Sequence, residues 1–193
     1  MLFLRIYLLA GLLAHKAVWE ILKRRQANPA GNKTKSTASR SLPVQAVKAI
    51  KIAILIGIAV QTFLPDVLPI SREPLVLRIA GTLIYTAGLL IAIRGRTQLG
   101  GNWSDIEASR ILSQHAIVSA GPYRFIRHPI YVGDLLLIFG LELALNSWLV
   151  VGVLFLAPVV LGMAIREEKK LMLTLPGYQG YCSRTKRFIP FVV

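Results

Sequence analysis

Lysine and arginine recur in every second gap between the apolar stretches of this chain, and that rhythm restricts the fold more than any other feature. Residues 23–51 carry eight Lys and Arg, residues 94–127 carry five and residues 166–187 carry six. The other connections are nearly uncharged: only Arg72 and Arg78 lie around the second, and none lies between Asn146 and Ser147. Membrane proteins keep Lys and Arg on the cytoplasmic side of the bilayer. The alternation therefore predicts an all-α integral membrane protein with five transmembrane helices, its N-terminus outside and its C-terminus cytoplasmic. An apolar fraction of 54% and a mean hydropathy of +0.58 are too high for a soluble domain of 193 residues. The net charge of +14 would suggest nucleic acid in a soluble protein. Here it is mostly the topological signature, with an added attraction to anionic membrane lipids of about 1 kcal/mol per basic residue near the surface. No recognition motif interleaves with the charge, so no nucleic-acid partner is expected. A single cysteine, Cys182, excludes an internal disulfide.

A helix needs roughly 20 residues to cross about 30 Å of hydrocarbon. The apolar runs predict spans over 2–22, 44–64, 75–93, 129–145 and 148–165, sharing one domain over 1–193. The first run has its basic residues after it and no small-residue cleavage site, so it reads as a helix and not as a signal peptide. His15, Lys16 and Glu20 on it are expected to face a neighbour or the headgroups. Gln26 to Pro43 is a polar linker. Gly81 and Gly88, two turns apart on span three, predict close helix packing. Between spans four and five only Asn146 and Ser147 remain, which predicts a tight helical hairpin. Pro129 suits a first helical turn, Pro158 predicts a kink, and Glu142 is placed near the outer surface, one turn from Asn146.

Two basic segments, 100–128 and 166–193, carry more specific chemistry than anchoring requires. Gly121-Pro122 makes a turn, after which Tyr123, Arg127, His128 and Tyr131 crowd the mouth of span four. Glu167 and Glu168 stand at the end of span five, and the hairpin makes the two segments neighbours. No phosphate-binding glycine loop and no nucleophile elbow occurs, and His115 and His128 have no further ligand at metal spacing, so no metal is expected. The set suits a zwitterionic, aromatic cosubstrate. Carboxylates can hold an ammonium or ribose hydroxyls, His and Arg a carboxylate, and Tyr rings a heterocycle or cation.

These residues carry a family resemblance. Gly121-Pro122-Tyr123, Arg127-His128-Pro129, Tyr131 and Gly133, followed by Glu167-Glu168, Tyr178-x-x-Tyr181, Thr185, Arg187 and Pro190, resemble the isoprenylcysteine carboxyl methyltransferase family of integral membrane enzymes. Phospholipid methyltransferases share part of the pattern. The likeness covers about 100–190, including Asn102-Trp103-Ser104, and the size is similar to that of prokaryotic members. It implies a methyltransferase that uses S-adenosyl-L-methionine without a Rossmann domain, with the cofactor facing the cytoplasm under a C-terminal cap. By motif, His115, Ala116, Ile117, Val118 and Tyr123 should line the adenosine site. His128, Pro129 and Tyr131 should contact the cofactor at the mouth of span four, and Glu167 should hold its polar end. In the eukaryotic enzymes an arginine four residues before that glutamate serves the substrate; here that position is Met163. The implied acceptor is lipophilic and enters from the bilayer, foremost the carboxylate of an isoprenylcysteine-like substrate. A carboxylate is already ionised at neutral pH, so alignment and removal of water supply the rate and no general base is assigned. Arg127 is expected to orient that anion. The alternatives are methylation of a phospholipid amine, with Glu168 binding the ammonium, and an NADPH-dependent membrane reductase.

Overall fold

A computed structural model describes residues 1–26, 45, 56–64, 66–102 and 116–189. The 26–43 linker, nearly all of the first half of the second span, the Trp103-Ser104 pair, His115 and Pro190 lie outside the described residues, apart from Gln26 itself. The chain divides into two compact units, 1–65 with 104–110, and 66–103 with 111–193.

The first unit contains α1 (Leu2–Gln26) and a helical stretch over 56–63, α2. Arg5 Nη1 donates to the Phe63 carbonyl at 3.0 Å. Near the other end of α1, Glu20 and Arg24 form an i,i+4 pair at 2.9 Å that is exposed and adds little stability. The cluster Lys23, Arg24 and Arg25 closes the helix, where cations complement the carbonyl end of the helix dipole.

The second unit is built on α3 (Leu75–Leu99), α4 (Pro129–Ala144), α5 (Val150–Thr174) and the short α6 (Tyr178–Arg184). Its tight pair is α3 with α4, antiparallel. A Cβ built at Gly81 would stand 2.3 Å from Ala144 N, one at Gly88 2.4 Å from Leu137 N, and one at Gly140 2.2 Å from Tyr85 N. Gly133 meets Ala92 in the same way, at 2.5 Å. The glycines repeat every seven residues on both helices, so each pair falls on the facing stripe and the backbones touch without intervening side chains. Glycine thus supplies close packing that no larger residue permits.

The expected α4–α5 hairpin is corrected by this arrangement. The turn is not two residues but five, 145–149, and α4 packs far more extensively on α3 than on α5. Asn146, at φ 56°, and Ser147 do lie in the turn, but they serve to bind the 66–74 loop. The Asn146 side chain accepts from Ser71 N–H at 3.0 Å and donates to Ser71 O at 2.8 Å, and Ile70 N–H donates to Asn146 O. Pro69 and Ser147 form an isolated bridge. Glu142, near this end, is buried, and its carbonyl accepts from Ser147 N–H.

Helix bounds also move. α5 continues past Ile165 to Thr174, unbroken at Pro158, because Glu, Lys, Leu and Met extend a helix where apolar content alone would end it. Glu167 and Glu168 are therefore side chains of a rigid helix. α3 likewise runs on to Leu99, which takes Arg96 out of the expected basic connection. It is fully buried, with Nη1 donating to Gly100 O at 3.2 Å. Among the described residues three helices are long and apolar enough to cross a membrane: Leu2–Arg25, Leu75–Leu99 and Val150–Thr174. The 16-residue α4 rises about 24 Å, short of the hydrocarbon thickness.

Candidate functional site

Pro129 opens α4 at a position where its missing N–H costs nothing, and it stops the preceding residues from joining the helix. Residues 125–128 are thus held extended or turned beside the helix start. The C-terminal segment lies along them. Arg127 N–H donates to Lys186 O at 2.8 Å, Lys186 N–H to Phe125 O at 3.1 Å and His128 N–H to Arg187 O at 3.2 Å. A parallel bridge pairs Ile126 with Lys186. Leu175 is extended and Gly177 left-handed at φ 82°, which turns the chain from α5 into α6. Gly177 lies over Ile117, whose Cδ1 a Cβ at 177 would meet at 3.6 Å. Tyr181 from α6 donates its hydroxyl to Tyr123 O at 2.7 Å. Upstream, Gly121 at φ 60° starts the 3-10 turn Gly121–Arg124 against Gln98.

Glu168 is the hub beneath this strap, 2% exposed. Arg127 Nε donates to its Oε1 at 2.8 Å, and His128 Nε2 lies 3.0 Å from the same oxygen. Arg187 forks onto the carboxylate, with Nη2 to Oε2 at 2.8 Å and Nε to both oxygens at 3.1 Å. Arg127 also donates through Nη1 to the carbonyls of Cys182, at 3.0 Å, and Thr185. A buried carboxylate with one partner pays more in lost hydration than it recovers; several charged donors reverse that balance.

Glu167, the next residue on α5, points elsewhere. Its side chain is 43% exposed, its Oε2 accepts from Tyr131 OH at 2.9 Å and lies 3.9 Å from His128 Nδ1. The His128 and Tyr131 rings stack at 5.3 Å, nearly parallel, and Phe188 covers His128 at 5.8 Å. Burial pushes the Tyr123 and Tyr178 hydroxyls well above the usual phenol range and Tyr181 up to about 12, so all three are hydrogen-bond donors at neutral pH. Burial also raises the Cys182 thiol.

The residues singled out from the sequence thus fall in two groups. Tyr123, Arg127, His128, Pro129, Tyr131, Glu167 and Glu168 converge around the start of α4 and the end of α5. Ile117 lies against Gly177 and Ala116 N–H donates to Asn102 Oδ1 at 2.9 Å, with Val118 continuing that stretch. Arg127, expected to orient an acceptor, has its guanidinium tied to Glu168 and two carbonyls. Glu168, considered for an acceptor ammonium, is enclosed by two arginines and a histidine. The contacts of Arg187, Thr185 and Phe188 are not legible in the sequence. Arg187 and Thr185 stood in the motif, but nothing local names Glu168 as the partner. Among the described residues no group of His, Cys, Asp and Glu is placed to hold a metal ion.

Residues 76–175, from α3 through α5, match the phospholipid methyltransferase family. The chain belongs to that family. Over 78 residues it is 37% identical to the cobalt-zinc-cadmium resistance protein CzcN of Cupriavidus metallidurans, a match covering 39% of this chain and 36% of that protein's length. The fold is similar to that of the eukaryotic intramembrane Ras methyltransferase ICMT, isoprenylcysteine carboxyl methyltransferase, with a TM-score of 0.58 at 17% identity over 98% of this chain and 68% of that one. At that identity the likeness is one of fold. Family and fold together make this a membrane methyltransferase-family protein, with α3, α4 and α5 as the matched frame of the site.

Proposed function

We propose that this protein transfers a methyl group from S-adenosyl-L-methionine to a lipophilic acceptor that reaches the α4–α5 mouth from the bilayer. The reading rests foremost on Glu167, a half-exposed carboxylate held by Tyr131 beside the stacked His128 ring. The donor set fits the cofactor: Glu167 can hold an ammonium or hydroxyls, Tyr131 offers an aromatic face, and Ile117 lies against Gly177 where the chain turns into α6. When bound, the cofactor supplies an electrophilic methyl group on a sulfonium. The chain's own part is to fix Glu167 and the rings on a rigid helix, to exclude water with the C-terminal strap, and to align the acceptor. We place the site on the cytoplasmic side, with five spans, the N-terminus outside and the strap as the cytoplasmic cap; the basic segments support that orientation.

The acceptor expected from the sequence pattern is the carboxylate of an isoprenylcysteine-like molecule, its tail buried at about 0.8 kcal/mol per methylene. A second reading, a phospholipid amine, is favoured by a specific observation: Arg127 and Arg187 are both spent on Glu168, Met163 stands where the substrate arginine would be, and the accessible charge beside the rings is the anion Glu167. Calorimetry of the purified protein in detergent should show binding of S-adenosylhomocysteine and none of NADPH. Glu167→Ala should weaken that binding by roughly 1–3 kcal/mol, the value of a charge-assisted hydrogen bond. Folded protein that does not bind S-adenosylhomocysteine overturns the reading. With radiolabelled donor, a farnesylcysteine acceptor should yield alkali-labile ester, and phosphatidylethanolamine alkali-stable label; the product decides between the two heads.

A further inference from the structure

Asp134 carries a carboxylate into α4, five residues beyond Pro129 and so about 7 Å along the axis from the mouth. Ionisable side chains inside a spanning helix face a bundle interior or a water-filled cavity and mark binding paths. Helical spacing sets the direction of this one. Gly133 and Leu137 form the seam against α3, whereas Tyr131 reaches Glu167 of α5. Asp134 follows Tyr131 by three residues, so it lies one turn deeper on nearly the same face, and the two side chains interact electrostatically. The Tyr131–Glu167 and His128–Glu168 contacts also fix the register of α4 and α5. One turn further from the mouth, Asp134 is level with Met163 and Ala164 of α5. The stripe of α5 that buries Val153, Ala164 and Glu168 leaves Ala157 and Val160 partly exposed. α5 is thus packed near the turn and near the mouth and open between them. Asp134, half-buried, stands where that opening meets the mouth.

Resting on the methyl-transfer reading above and on its amine branch, we propose that Asp134 is the specificity-determining residue for the acceptor, holding the ammonium of a lipid headgroup that enters between α4 and α5. A carboxylate away from bulk water attracts a cation and repels an anion, and both effects grow as the effective dielectric falls. The Tyr131 ring beside it adds a face on which an ammonium can rest. Ala157 and Val160 give the opening an apolar wall suited to acyl tails. Glu167 and Asp134 then serve different molecules on two sides of Tyr131: Glu167 the cofactor at the mouth, Asp134 the acceptor one turn deeper. A free carboxylate acceptor would meet Asp134 as a like charge. Asp134 binds the headgroup, and no step of the transfer is assigned to it.

Calorimetry in detergent with S-adenosylhomocysteine already bound tests the assignment in the native protein. Short-chain phosphatidylethanolamine should bind about tenfold or more tightly than its N-acetyl analogue, which keeps the tails and phosphate and lacks the ammonium; that factor is the usual value of one charge-assisted hydrogen bond. Asp134→Asn should abolish the preference and raise KM for phosphatidylethanolamine by a similar factor, with kcat and S-adenosylhomocysteine affinity changed far less. Asp134→Glu, which keeps the charge, should retain the preference. Equal binding of the two lipids by the native protein, or an unchanged preference in Asp134→Asn, overturns the role of Asp134. Methylation confined to farnesylcysteine overturns it too and leaves the methyltransferase reading standing, whereas absence of S-adenosylhomocysteine binding overturns that reading and the role of Asp134 with it.

Discussion

Arg187→Gln should release the C-terminal strap from the mouth of α4, and Cys182 provides a native reporter. The substitution removes a forked ion pair to Glu168, three contacts of 2.8 to 3.1 Å, while Glu168 keeps Arg127 and His128 and is not left as an unpaired buried charge. Charge-assisted hydrogen bonds contribute about 1.5–3 kcal/mol. Arg187 is 28% exposed, which places the loss near the lower end. A loss of about 1.5–2 kcal/mol multiplies the population of the opened strap by about 10 to 30, at tenfold per 1.4 kcal/mol. Cys182 is the sole cysteine, it is half-buried, and burial raises its thiol pKa, so alkylation of the native protein at neutral pH should be slow. Maleimide labelling of Arg187→Gln in detergent should be faster by that factor. Lys186→Gln, which removes the same charge one residue away, should label at the native rate, because its contacts with Phe125 and Arg127 run through the backbone. Equal rates for native and Arg187→Gln protein would refute the idea that this ion pair holds the strap.

Gly140→Leu should destabilise the second unit by more than the roughly 1–3 kcal/mol usual for overpacking, because its Cβ would stand 2.2 Å from a backbone nitrogen of α3. Gly152→Leu, with open space around it, is the control in a thermal unfolding series; equal midpoints would contradict the backbone contact. For topology, cysteines at Ser183 and Arg72 in a chain with Cys182 replaced should be labelled from opposite sides, Ser183 from the cytoplasm. External labelling of Ser183 would overturn the orientation.

The apolar runs and the basic rhythm act residue by residue, through transfer into the bilayer and the bias on translocating charge, so they are legible without any partner. That is why α1, α3 and α5, and the packing role of Gly81 and Gly88, are readable from the sequence. The start of α4 at Pro129 is readable for the same local reason. Helix ends were not, because Arg96 and Glu167 look like loop charges until packing and helix propensity carry the helix through them. The tertiary structure decided which helices pair and which charges meet. Gly133 and Gly140 gain their meaning only when antiparallel pairing sets them against Ala92 and Tyr85. Arg127, Glu168 and Arg187 are 41 and 19 residues apart along the chain. Each could pair with any nearby opposite charge, and only the folded backbone brings these three within hydrogen-bond reach. The opposite environments of Glu167 and Glu168 follow from their neighbouring positions on one helix, which face in different directions: one towards the strap and buried, the other towards Tyr131 and half-exposed.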